Sequence, residues 1–274
     1  IQIDRCKSRN IIQGGDGLGG IAGIIHNLNY ETQSNIYITN CTNESEISSS
    51  HGNNVGGIAG GISNYSYILD NDIASSTSAI LVIEDCNNIA NITVSKDPRS
   101  NVKLEKIGGI VGKIYSGESK VTKCINEGKI EAEDIIGGII GVDESNSSEY
   151  INCENNGEII GDDKIGGIVG GTSGSKVLEC TNNGNITGNI VGGIVGYVVA
   201  DHKGIYVENC YNTGNLSIVT NRMNPRIGGI IGEAGRGEYD INGCGNSGKL
   251  PEIKNKYDKI GDMIGAEYIY AESY

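Results

Sequence analysis

The feature that most constrains the fold is a hexapeptide of pattern apolar-Gly-Gly-apolar-small-Gly that recurs along the chain. It reads LGGIAG from Leu18, VGGIAG from Val55, IGGIVG from Ile107, IGGIIG from Ile136, IGGIVG from Ile165, VGGIVG from Val191 and IGGIIG from Ile227. It then decays to IGDMIG from Ile260. A second box alternates with it. One cysteine precedes each hexapeptide (Cys6, Cys41, Cys86, Cys124, Cys153, Cys180, Cys210, Cys244), set in apolar-x-x-Cys-x-Asn-x-Gly as in VTKCINEG and VLECTNNG. Between Cys124 and Cys210 the unit repeats every 26–30 residues or so. Fixed-period self-similarity of this length marks a repeat architecture.

Each unit holds three short extended segments, exemplified by Val121-x-x-Cys124, Lys129-Ile130 and Ile136-Gly-Gly-Ile139, separated by Asn-x-Gly or polar turns. A glycine-rich hexapeptide is a poor helix interior. One coil of short strands cannot bury its own apolar side, but stacked coils can. The expected fold is therefore all-β: a parallel β-helix or β-solenoid of about eight coils, three short strands per coil, with loop insertions. Eight coils at the inter-strand spacing give a rod about 35–40 Å long. Asn before Gly is expected at corners that visit the left-handed region. The whole of 1–274 reads as a single solenoid domain and as a fragment of a longer protein, with 251–274 a degenerate last coil or a cap.

Composition excludes several functions. The net charge is −13, which disfavours nucleic acid, whose phosphates want clustered positive charge. No apolar run is long enough to insert into a membrane. The three histidines, His26, His51 and His202, sit in different coils and phases without metal-ligand spacing, so no metal and no cofactor are expected. The carboxylates Glu131, Glu133, Asp134, Asp162 and Asp163 are the pairs to weigh for sugar cleavage, and nothing in their context sets them apart, so no catalytic residue is assigned. The seven ladder cysteines Cys41, Cys86, Cys124, Cys153, Cys180, Cys210 and Cys244, with Cys6 beginning the row, share one phase and point into the core as small apolar groups. In-register neighbours are spaced badly for disulfides, so free, stacked thiols are expected.

Insertions at a single phase project from a single edge of such a rod, where binding residues concentrate. Two clusters qualify. Loops expected at about 24–37 and 61–82 carry Tyr30, Tyr65 and Tyr67, and tyrosine offers large contact area at low entropic cost. Expanded segments between cysteine and hexapeptide carry Arg99, Arg222, Arg226 and Lys254, a basic edge on an acidic molecule suited to an anionic glycan or an acidic protein surface.

The stretch GGIVGYVVADHKGIYVENCYNTGNLS, Gly192 to Ser217, resembles GLUG-motif repeats: a glycine-rich box, an apolar-x-x-Cys segment and a Tyr-x-x-Gly turn. The resemblance covers about 105–250 well and the earlier coils loosely. It implies a secreted or cell-surface bacterial protein, as in the non-catalytic regions of immunoglobulin A peptidases and adhesin-like chains, and it brings no catalytic residues. The leading expectation is a non-catalytic interaction or stalk module that binds a protein or glycan ligand. A substrate-recognition domain of a secreted peptidase and a β-helix enzyme acting on polysaccharide stand as alternatives.

Overall fold

The computed structural model describes residues 1–29, 34–50, 52–70, 73–76, 80–95, 106–145, 147–199, 204–219, 224–235 and 239–267. Side chains are described for all of these except 28–29, 65–70, 73–76 and 267. Among the described residues there is no helix, and the strands stack into parallel sheets through eight coils. The expected solenoid is present.

Each full coil contributes five strands, not three, to sheets named A to E in the order the chain visits them. In the fourth coil these are Glu118–Thr122 (A), Ile125–Asn126 (B), Ile130–Glu131 (C), Asp134–Gly137 (D) and Ile140–Asp143 (E). The extra strands arise because each motif is bent in the middle. The cysteine box breaks into A and B at the residue before the cysteine, which is left-handed in all eight coils: Arg5, Asn40, Asp85, Lys123, Asn152, Glu179, Asn209 and Gly243. The left-handed corner thus falls there and not at the conserved-phase Asn. The hexapeptide breaks into D and E at its glycine pair, so Ile107–Gly108 and Val111–Ser116 lie in different sheets.

Two apolar columns run the length of the rod. Sheets A and E enclose one, including Ile38, Ile83, Val121 and Val177 facing Ile110, Ile139, Ile168 and Ile194, with the cysteines stacked beside them. Sheets C and D enclose the other, where Ile92, Ile130, Ile159 and Ile186 meet Ile107, Ile136, Ile165 and Val191. Core residues recur at the same position of every coil, so each isoleucine packs on its own equivalents above and below. This is how a chain without Phe or Trp fills its interior.

Between the columns the section narrows to a waist, and here sheet B meets the glycine bend. Asn43, Asn88, Asn126, Asn155, Asn182 and Asn212 are fully buried in this waist. Each side-chain amide donates to the Oδ1 of the next coil's asparagine at 2.7–2.8 Å, ending on Asn246. Each also donates to the carbonyl two residues on, at 2.9–3.0 Å across these six. A buried amide is costly unless bonded; stacking identical amides supplies the partners. The second glycine of the hexapeptide faces this ladder. A Cβ on Gly109 would lie 2.7 Å from Asn126 Cβ, and one on Gly138 would lie 2.6 Å from Asn155 Cβ.

The long insertions are not simple loops. Ala22–Asn29 and Ala59–Asp70 extend sheet E beyond the coil as a parallel pair, and Ile73–Ser76 returns antiparallel along the second of them. In the eighth coil Lys259–Gly261 and Ile264–Glu267 still join sheets D and E, so this part of 251–274 is coil. Residues 268–274 lie outside the described residues.

All eight cysteines are free thiols, six of them buried. Cys41 Sγ donates to the Thr39 carbonyl at 3.2 Å, and the Cys153 and Cys180 amides donate to the next coil's sulfur at 3.4 Å. Burial pushes the Cys41 thiol up to about 11 and holds Cys124 and Cys180 well above the usual thiol range, whereas hydrogen bonds from neighbouring stacked thiols draw Cys86, Cys153 and Cys210 down. Thiol acidity thus alternates along the ladder, and access to the sulfur separates the two half-buried end thiols from the six in the core. At pH 8 an aromatic disulfide reagent is therefore expected to modify only the half-buried Cys6 and Cys244 in the native protein, and all eight after denaturation. Fewer than eight reactive thiols in non-reducing denaturant would mean that disulfides had formed.

Candidate ligand-binding seam

On the outside of the rod, the bend between sheets D and E leaves a seam with one row of side chains on each flank. The sheet D row is the residue just before each hexapeptide. Running from the second coil it comprises Asn54, Lys106, Ile135, Lys164, Ile190, Arg226 and Lys259, a register fixed by the pairing of Ile107 with Val55 and Ile136, of Ile165 with Ile136 and Val191, and of Arg226 with Ile190 and Lys259. The facing sheet E row is Gly61, Lys113, Val142, Gly171, Tyr197, Glu233 and Ala266.

Several contacts cross the seam. Lys164 Nζ lies 5.8 Å from the centre of the Tyr197 ring. Arg226 forms an ion pair with Glu233, whose side chain is 7% exposed. At Gly171 there is room for a side chain: a Cβ would make only ordinary contact with Ile135 and Val142, 3.4 and 3.6 Å away. Gly171 and Val142 are themselves buried, and Ile135 and Tyr197 beside them are partly exposed. Further along, Lys113 pairs with Glu144 at 2.8 Å and sits 4.2 Å above the Tyr115 ring.

The cationic positions fall in the third, fifth, seventh and eighth coils. At one strand spacing per coil, the first three stand about 9–10 Å apart along the rod. The backbone is left-handed at two of them: at Lys106, just before the strand Ile107–Gly108, and at Lys164, within the strand Asp163–Gly166. Chemically, the seam offers spaced cations and one aromatic ring, a combination suited to a polyanion.

Of the residues singled out in the sequence, the structure places two in or near this seam. Arg226 lies in the row itself, and the exposed Lys254 precedes the last sheet D strand, its backbone amide bonded to Asp258 Oδ2 at 2.8 Å. Arg99, Arg222 and Tyr30 lie outside the described residues, as do His51 and His202. Tyr65 and Tyr67 lie on the extended strand Ala59–Asp70, Tyr65 paired with Leu28 and Tyr67 with Ser76, a sheet extension where a loop was expected. The carboxylates divide: Glu131 stands apart, while the Glu133 carbonyl accepts from the Asp162 and Asp163 amides in the adjoining coil. Glu131 pairs with Lys129 on sheet C, whereas Asp134 and Asp163 are register neighbours in sheet D. Among the described residues, no group of three or more His, Cys, Asp or Glu side chains is arranged to hold a metal ion.

Lys106 and Lys164 were not singled out by sequence reasoning. Their signal was present, since four of the eight hexapeptides are preceded directly by Lys or Arg. It is visible only when the hexapeptides are aligned and the flanking column is read as a row. Comparison of the chain with family models, with curated proteins and with solved structures found no match.

Proposed function

We propose that this chain is a non-catalytic, rod-shaped interaction module of a secreted or cell-surface protein, and that it binds an extended anionic ligand along the seam between sheets D and E. The observation that supports it is the row Lys106, Lys164, Arg226 and Lys259: four cations in one register column of a molecule whose net charge is −13. Charges of one sign placed at coil intervals suit a polymer with regularly spaced negative groups, such as a sulfated or uronic-acid polysaccharide. The secreted setting rests on the likeness to GLUG repeats.

Exposed single charge contacts contribute little individually, about 0.2–1 kcal/mol. Removing three is therefore expected to weaken binding about tenfold. The test is calorimetric titration with size-defined sulfated oligosaccharides, comparing wild type with a Lys106→Gln, Lys164→Gln, Lys259→Gln variant. Arg226 is left in place because it also serves the buried Glu233. Equal affinity of the two proteins, or equal binding of a neutral oligosaccharide, would contradict the proposal.

A further inference from the structure

The asparagine ladder ends in a different residue at each end, and both are departures from the repeat. In the first coil Ser8 stands where Asn is expected, and its hydroxyl donates to Asn43 Oδ1 at 2.5 Å. In the eighth coil Asp262 stands where the second glycine of the hexapeptide is expected, and Asn246 Nδ2 donates to Asp262 Oδ1 at 3.2 Å.

The glycine position explains why. In the seven preceding hexapeptides this residue is Gly20, Gly57, Gly109, Gly138, Gly167, Gly193 and Gly229. A Cβ on any of them would run into the ladder asparagine of the following coil, from Asn43 for Gly20 to Asn246 for Gly229. Glycine is required because another coil lies against it. Asp262 is register-equivalent to Gly229, since Gly228 pairs with Gly261. Its side chain extends into the space that the next ladder amide would fill, and supplies the acceptor oxygen that amide would have supplied.

The two ends of the rod are otherwise matched. The rows that begin with Ile3, Cys6, Ser8, Leu18 and Ala22 finish with Ile241, Cys244, Asn246, Ile260 and Ile264, and most of these end residues are only partly buried. A second copy could in principle continue every row head to tail, which is the hazard posed by any open strand edge. We propose that Asp262 closes this end, so that the first coil of a second copy cannot stack on it in register. The side chain occupies the slot sterically, and covering its carboxylate would strand a charge away from water.

The test is Asp262→Gly, which restores the open slot, with Asp262→Asn as a shape-conserving comparison. Sedimentation velocity of the whole chain is expected to show wild type and Asp262→Asn as monomers up to about 200 μM. Asp262→Gly is expected to give concentration-dependent species that lengthen by whole rods. Adding Ser8→Lys at the opposite end, which places a charge in the same slot, should return Asp262→Gly to monomer. Asp262→Gly that is folded and monomeric throughout, or lengthening that survives Ser8→Lys, would overturn the proposal. A second readout covers the case of a poorly folded variant: the Asn246 side-chain amide should exchange with solvent at least about tenfold more slowly in wild type than the exposed Asn152 side-chain amide. Equal exchange would show that Asp262 does not complete the ladder.

Discussion

Gly138→Ala is expected to abolish folding, or at the least to cost more than about 4 kcal/mol in a urea titration. An alanine in most strands costs little and removes the entropy penalty of glycine. Here the added Cβ would sit on the Gly167 carbonyl oxygen and 2.6 Å from Asn155 Cβ. Neither obstacle can move independently. The carbonyl belongs to the next coil's backbone, and the asparagine is held by the amides above and below it. Opening the waist for one methyl group would displace sheet B from the D/E bend and pull the two apolar columns apart. Gly171→Ala is the matched comparison, because a Cβ there would meet two side chains and the Tyr197 carbonyl oxygen at ordinary distances, 3.4 Å and beyond. It should fold normally and change stability by less than about 1 kcal/mol. Equal tolerance of the two substitutions would show that the waist is not close-packed.

Asn155→Ala is the second substitution with a large expected effect, about 3–5 kcal/mol. The side chain donates to the Gly157 carbonyl at 2.9 Å and to Asn182 Oδ1 at 2.7 Å, and accepts from Asn126 at 2.8 Å. Truncation removes these bonds, leaves a void in the waist, and takes one partner each from the buried amides of Asn126 and Asn182. Asn155→Asp keeps the shape but replaces the donors with a buried carboxylate, so it should be at least as damaging at pH 7. Asn183→Ala, exposed at the neighbouring position, should stay within about 0.5 kcal/mol of wild type. Guanidinium melts of the three variants against wild type give the ordering.

These two residues also show where sequence reading succeeds and where it stops. The Gly-Gly box and the cysteine box recur with a fixed phase, so coil number, parallel stacking and inward-facing thiols could be read from spacing alone. The strand count could not. A left-handed residue divides A from B in every coil, yet its identity runs through Arg, Asn, Asp, Lys, Glu and Gly, so no residue type announces the corner. The asparagines were legible as a motif but not as an interior. Asn is ordinarily exposed or at a turn, and its burial here depends on an identical neighbour in the adjacent coil, which only the fold supplies. The seam cations are hidden for a related reason: Lys106 and Lys164 are far apart in the chain, and only register turns them into a row. Asp262 reads in sequence as decay of the last hexapeptide. Beside Asn246 it is the residue that finishes the ladder.

The account as a whole depends on the buried amides being stacked as one continuous ladder, because that ladder fixes the register on which both the glycine slots and the outer rows depend. Side-chain amide hydrogen exchange, followed by NMR on protein carrying ¹⁵N-asparagine, tests this directly. Asn88, Asn126, Asn155, Asn182 and Asn212 are expected to exchange only through global unfolding, with one shared protection free energy equal to the stability measured by denaturant. Exchange of these five amides at the rate of exposed asparagine, in a protein that is otherwise folded, would contradict it.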